Sequence, residues 1–268
     1  MIYIADLNDG FFNSSLYLNE YYGVTQNRDT KDYFLIMKYY KSNLRNYMIK
    51  DFYNIEWNKK LKILKRIAEG LDHIHNQKII HRNLHSKNIL CENEDDVVIS
   101  DLGMSKSAMD STDDNENYGI ISYMAPEILQ GKKYTIASDI YSFSMIMWEL
   151  MMGKIPFWDQ NLYADTDGEL VFKICHGLRP LIVTNAPKGY IELMQDCWSS
   201  DPNERPIATT ITHQLRDMLN HEVNYPTEIV KSPEIAPINI SKPVYKSRPL
   251  SNITKAAISI RSLNSLGN

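Results

Sequence analysis

Between His81 and Gly103 the chain concentrates groups that handle charge. The run His81–Asn88 reads HRNLHSKN, and Asp101-Leu102-Gly103 follows it closely. A carboxylate on Asp101 and an amide oxygen on Asn88 are the kind of oxygen donors that a hard divalent cation takes. Arg82 and Lys87 add two cations to the same run. Asn83, in its middle, carries an amide, which orients a hydroxyl by hydrogen bonding but cannot accept its proton. Other chemistries find less support. His73 and His75 sit two apart on a helical stretch and face different ways, and neither they nor His176 and His213 are assigned to a metal. Cys91, Cys175 and Cys197 are widely spaced and odd in number, which argues against a disulfide framework or a zinc site and for a reducing compartment.

The elements that must hold these groups are legible from periodicity. DYFLIMKYY (Asp32–Tyr40) is dense in aromatic and aliphatic residues and reads as a largely buried strand. Leu61, Leu64, Ile67, Ala68, Leu71 and Ile74 recur at helical spacing from Trp57 to Asn76, with Asn58 or a neighbour as the cap. Asn88–Ser100 reads as two short strands around an acidic turn. Residues 104–118 have no core pattern and read as an exposed loop. Ile140–Met152 suits a helix buried nearly all round, and helical stretches follow near Tyr190–Cys197 and Ile207–Leu219. After about residue 222, Pro, Ser and Lys mix with isolated isoleucines and basic residues outnumber acidic ones, which reads as a disordered tail.

Composition bounds the class. The 268 residues are 43% hydrophobic and 23% charged, ordinary for a soluble protein with a sizeable core. A net charge of -4 gives no reason to expect nucleic acid or an anionic membrane as partner. There is no apolar run of membrane-spanning length, and MIYIADLNDG lacks the basic start of a secretory signal. The expected location is the cytoplasm or nucleus.

HRNLHSKN resembles the catalytic loop of protein kinases, H-R-D-L-x-x-x-N, with one change at the central acid. Asp101-Leu102-Gly103 resembles the magnesium-binding D-F-G, and Ala125-Pro126-Glu127 the A-P-E that closes the activation segment. SDIYSFSMIMWEL is similar to the central helix of the larger kinase lobe, opening at Asp139. CWSSDPNERP resembles the closing motif of tyrosine kinases and tyrosine-kinase-like kinases, with Arg205 before Pro206. These strings, in order over roughly residues 20–220, identify the chain as a member of the protein kinase family. The resemblance implies an α+β protein-kinase-like fold, with residues 1–40 a remnant of the N-lobe sheet and hinge, 41–221 a mostly helical C-lobe and 222–268 the tail. It implies Asp101 and Asn88 as Mg²⁺ ligands, a buried Glu127–Arg205 ion pair, and Asp139 as acceptor for the catalytic-loop backbone. Met37 falls behind the adenine pocket, Lys38, Tyr39 and Tyr40 form the hinge, and Leu90 lies under the purine.

Four departures alter the functional expectation. Asn83 stands at the base aspartate. His85 stands where serine/threonine kinases place a lysine, while Lys87 takes the position of the tyrosine-kinase arginine. Gly119-Ile120 replaces a Gly-Thr pair. Residues 1–30 contain no lysine and only Gly10 and Gly23, so the glycine loop and the lysine-bearing strand are expected to be missing. The activation segment carries an acidic cluster, Asp110–Glu116, that could pair with Arg82. The expectation is a kinase-like domain whose own phosphoryl transfer is lost or severely impaired, acting by binding protein partners and prone to self-association, with ATP and Mg²⁺ bound weakly or not at all. Two alternatives remain open: an ATP-dependent protein kinase represented by an incomplete chain, and a fragment that competes for the partners of active relatives.

Overall fold

The computed structural model describes residues 15–109, 118–159, 167–237 and 248–249. Its elements run β1 (Tyr21–Gln26), β2 (Tyr33–Met37), β3 (Ser42–Asn43), α1 (Leu44–Asp51), α2 (Trp57–Asn76), β4 (Ile79–Ile80), β5 (Ile89–Cys91), β6 (Val97–Ile99), β7 (Lys106–Ser107), β8 (Tyr118–Gly119), α3 (Pro126–Leu129), α4 (Ile136–Met152), α5 (Asp167–Cys175), α6 (Tyr190–Cys197), α7 (Ala208–Asn224) and β9 (Arg248–Pro249). The class is α+β, with helices outweighing short antiparallel sheets.

The expected periodic face of α2 is the core. Leu61, Leu64, Ile67, Ala68, Leu71 and Ile74 are all buried, against α7 on one side and β6 on the other. The helix starts at Trp57, as the periodicity predicts, but Asn58 does not cap it. Glu56 holds the capping position and contributes only its carbonyl, to Lys60 N–H at 3.1 Å. Gly70 lets β6 approach closely, since a Cβ there would lie 2.8 Å from Ile99 Cδ1. Helix α4 starts four residues before the expected Ile140. Thr135 and Ser138 form a reciprocal capping box that fixes its start, and Gly153, at φ 73°, ends it.

One strand pair, within Asn88–Ser100, is as expected; the pairs β1–β2, β3–β5, β4–β7 and β8–β9 were not foreseen. β5 and β6 pair antiparallel around the acidic turn, and β3 extends that sheet. β1 and β2 form a separate two-stranded hairpin. β2 is not buried, contrary to its apolar composition: its five residues are between 40% and 74% exposed. Among the described residues only β1 pairs with it.

The tail expectation is corrected at its near end. α7 continues to Asn224, and residues 225–237 dock on the helical unit. Buried Glu222 accepts from Thr227 N–H at 2.7 Å and from its hydroxyl at 2.8 Å. The Tyr53 hydroxyl donates to the carbonyls of Ser232, at 3.1 Å, and Ile235. Ile235 is buried, and the Ala236–Pro237 backbone crosses Gly153 so closely that a Cβ there would meet it at 3.0 Å. Ile235, with Ile229 packed partly buried against the core, therefore anchors this segment, a contact that composition alone cannot reveal. The remainder of the tail lies outside the described residues apart from β9, which pairs with β8. The acidic cluster Asp110–Glu116 also lies outside them.

Candidate functional site

The loop from His81 to Asn88 is held from beneath by the first turn of α4. Asp139, buried there, accepts from His81 N–H at 2.8 Å and from Arg82 N–H at 3.0 Å, as expected. It also bonds His75 Nε2 at 2.9 Å, a partner that helical spacing gave no reason to single out. These bonds hold Arg82 in the left-handed region, at φ 71°, a conformation that non-glycine residues adopt only when their surroundings impose it. The Arg82 guanidinium stacks 4.8 Å from the Tyr134 ring. His81 is fully enclosed, and burial holds its pKa below the usual value. Its ring is neutral, with Nε2–H donating to Ser100 O at 3.0 Å and Nδ1 accepting Asn83 N–H at 3.2 Å. The histidine thus pins the position of Asn83.

Asp101 is likewise in the left-handed region, at φ 61° and ψ 57°, which turns its carboxylate back toward the loop. Asp101 Oδ2 accepts from Asn83 Nδ2 at 2.9 Å and from Asn88 Nδ2 at 3.0 Å. Asn88 Nδ2 also donates to Asn83 O at 2.9 Å. The structure therefore brings Asn83, Asn88 and Asp101 together, with both amides serving as donors to one carboxylate oxygen. The second Asp101 oxygen and the Asn88 amide oxygen remain as donors for a cation. That set fits Mg²⁺ only if water or phosphate oxygens complete the shell. Among the described residues no cluster of three or more His, Cys, Asp and Glu side chains could hold a metal alone.

His85 supplies no positive charge in place of the lysine. Burial, reinforced by His81 and Lys87, pulls its pKa down to about 3, so the ring is neutral, 5.9 Å from the ring of Tyr123. Ile120 is buried and lines one cleft with Arg82, Asn83, His85, Tyr123 and Tyr134. Its apolar side chain cannot bond the amide at Asn83. Lys87 is exposed at the end of the loop.

The upper side is assembled from fewer parts. Met37 ends β2 opposite Tyr21, and Leu90 sits in β5 opposite Asn43 and Val98. Tyr40 is buried, whereas Tyr39 is 82% exposed. Lys38 N–H is engaged by Glu20 O at 2.9 Å, so that hinge amide already has a partner. Sequence reasoning missed Tyr21, whose buried hydroxyl reaches the backbone of Leu102 and Asp101; burial raises its pKa. In residues 15–40 the lysines are Lys31, in the β1–β2 turn, and Lys38, 3.9 Å from Asp96. Gly23, on β1, is the only glycine there. Among the described residues neither lysine forms an ion pair with the Asp101 carboxylate. Of the groups a nucleotide would need, the described residues supply the oxygens of Asp101 and Asn88 for a metal.

Two buried ion pairs brace the site. Arg205 Nη1 and Nη2 donate to the two oxygens of Glu127 at 2.7 and 2.8 Å, the expected pair in bidentate form. The second was not foreseen: Arg45 Nη1 donates to Glu149 Oε1 at 3.2 Å and to Gly153 O at 2.8 Å. Tyr123, beside His85, donates to Glu149 Oε2 at 2.6 Å. Removing that donor leaves a fully buried carboxylate one bond short. Tyr123→Phe is expected to lower unfolding stability by about 1–3 kcal/mol, measured by denaturant titration.

Comparison with known proteins agrees with this arrangement. A family model described as "Protein tyrosine and serine/threonine kinase" matches residues 14–215. A probable serine/threonine-protein kinase of Dictyostelium discoideum, roco5, is 33% identical over 192 residues, covering 68% of this chain and 7% of that protein. A putative serine/threonine-protein kinase/receptor of Acanthamoeba polyphaga mimivirus, R831, is 32% identical over 186 residues, 68% of this chain and 11% of that protein. Cyclic GMP-binding protein C of Dictyostelium discoideum is 37% identical over 168 residues, 60% of this chain and 6% of that protein. The chain thus spans 6–11% of the length of these relatives. It belongs to the protein tyrosine and serine/threonine kinase family.

Proposed function

We propose that this chain is a kinase-like domain of intracellular signalling that acts by binding other proteins, with its own phosphoryl transfer lost or severely impaired. The observation that carries the reading is the Asn83 amide donating to Asp101 at 2.9 Å. A group that already gives its N–H to the metal-binding carboxylate offers no basicity to an incoming hydroxyl. The neutral His85 and the apolar Ile120 extend the same pattern to its neighbours. Phosphoryl transfer relies mainly on positioning and charge neutralisation, and no lysine of residues 15–40 supplies that charge. The closing motif CWSSDPNERP supports a tyrosine-kinase-like affiliation, and the surface chemistry suits protein partners rather than nucleic acid.

The test is radiolabelled phosphate transfer to a generic protein acceptor. Restoring the base alone repairs a factor of about 10²–10⁴, so both the chain and its Asn83→Asp variant are expected to show no transfer above background. Calorimetry with Mg-ATP is expected to return a millimolar dissociation constant or no binding. Robust turnover by Asn83→Asp that Asp101→Ala abolishes would overturn the reading, as would micromolar Mg-ATP affinity.

A second reading is favoured by the retained Asp101 and Asn88 oxygens: an ATP-dependent kinase whose glycine loop and lysine come from elsewhere in a longer protein or from a partner. Fusing an N-lobe from a related kinase ahead of residue 20 distinguishes the two. Activity that appears on fusion and rises with Asn83→Asp supports the second reading. In that fusion Ile120→Thr should add activity only once aspartate is present, because the two side chains would act as a unit.

A further inference from the structure

Beyond the docked residues 225–237, the chain meets the candidate site once more. β9 pairs antiparallel with β8, Tyr118 opposite Pro249 and Gly119 opposite Arg248. Proline has no backbone N–H, so Pro249 cannot exchange two hydrogen bonds with Tyr118. Pairs in an antiparallel ladder alternate between those that exchange both bonds and those that exchange none. Gly119 and Arg248 are therefore the exchanging pair, and the Tyr118 backbone points away from β9. The Tyr118 carbonyl has its partner on that other side, the Tyr134 hydroxyl, which donates to it at 2.9 Å. The same Tyr134 ring stacks on the Arg82 guanidinium, and Gly119 lines the cleft with Arg82, Asn83 and Ile120. The bonding edge of β8 thus lies at the rim of the candidate site.

The two paired stretches of sequence are opposite in charge. Asp110, Asp113, Asp114 and Glu116 lead into β8 with no basic residue among residues 110–117, whereas residues 238–249 carry Lys242, Lys246 and Arg248 and no acid. The tail is also tethered: Ile235 is buried, and the Tyr53 hydroxyl holds the Ser232 and Ile235 carbonyls. Only residues 238–247 separate that tether from Arg248. We infer that the chain's own Arg248–Pro249 segment is a tethered occupant of a peptide-docking edge on β8, and that this edge takes a basic, extended segment of a protein partner once the tail leaves. The inference rests on the proposed reading of the chain as a protein-binding domain and names the surface it would use. Extended peptides bind sheet edges through main-chain hydrogen bonds. Two such bonds alone hold a strand weakly, so the tether maintains the occupancy: a short linker keeps its end at about millimolar effective concentration. A partner segment must outcompete that level to reach Gly119.

The experiment uses the 268-residue chain and a fluorescein-labelled peptide of residues 242–255. Arg248→Pro removes the N–H that bonds the Gly119 carbonyl and lies outside the helical unit and its docked segment. Hydrogen exchange at the Gly119 amide is expected to quicken about tenfold in the variant. The Arg82 amide, held by Asp139, should stay protected and so report an intact fold. By fluorescence anisotropy the peptide is expected to bind the variant about tenfold more tightly than the unaltered chain, which carries its own competitor. Binding should slow Gly119 exchange again, and a peptide with the same Arg248→Pro change should not bind. A Gly119 amide that exchanges equally in chain and variant overturns the proposal. So does a peptide that binds both equally, binds neither, or binds without slowing Gly119. Failure of the protein-binding reading would appear separately, as phosphate transfer by the chain, since exchange and anisotropy are read without ATP.

Discussion

Arg205→Leu should be the most destabilising single change near the site, lowering unfolding stability by about 3–5 kcal/mol and the melting temperature by roughly 10 °C. Arg205 makes four bonds at once: two to Glu127, one to Ala137 O at 2.9 Å and one to Ser199 O at 3.0 Å. Its guanidinium also lies 5.3 Å from the Tyr141 ring. Removing it strands a buried carboxylate and two carbonyls on three separate segments. Arg205→Lys should fare little better, because an ammonium cannot reproduce the planar fork. Glu127→Gln should cost less, since the amide still accepts a bond and leaves a cation with three partners. Thermal and denaturant unfolding of the three variants check the order. A loss below 1 kcal/mol for Arg205→Leu would show that the pair is replaceable by packing.

The second large effect concerns Lys60, which the sequence presents as an ordinary helix cation. It lies 1% exposed inside the start of α2, its ammonium 4.2 Å from the Phe52 ring and 5.0 Å from Trp57. Desolvation pulls its pKa from 10.5 to about 7. The aromatic faces favour the charged form and work against that shift. The sign follows from proton counting. Between pH 7 and 10.5 the unfolded chain binds more protons at this site, so its contribution to stability rises with pH. It is complete above 10.5 and lost as pH falls through 7. The full span is on the order of 5 kcal/mol. Cys91 works in the opposite sense above pH 9, because burial pushes its thiol up to about 12. Lys60→Met isolates the lysine: the variant should be the more stable at pH 6, and the gap should narrow by pH 9. A gap that does not change with pH would mean that Lys60 keeps its proton in the folded state.

What the sequence disclosed and what it hid divide along physical lines. Helical periodicity placed α2 and α6 to the residue, because an apolar stripe at 3.6-residue spacing has little other use. The motif strings located Asp139, Glu127 and Arg205, and their contacts are where the strings put them. β2 went wrong because composition reports how apolar a strand is, whereas burial depends on what lies against it. The Arg45–Glu149–Tyr123 cluster joins residues 104 and 26 positions apart. Such partners leave no local pattern. Asn83 was visible as a departure, but that its amide bonds Asp101 depends on two left-handed backbone turns, at Arg82 and Asp101, which side-chain identity does not predict.

The docking of residues 225–237 also sets an order of events during synthesis. Tyr53 bonds a carbonyl 182 residues further along the chain, and α2 rests its apolar stripe on α7. A nascent chain that has released α1 and α2 must carry their uncovered surfaces until nearly the whole helical unit has left the ribosome. Long-range closures of this kind slow folding and lengthen exposure of apolar surface. The early helices therefore depend on the last ones to leave, and a ribosome stalled before residue 208 would present α2 to whatever chaperone stands at the exit.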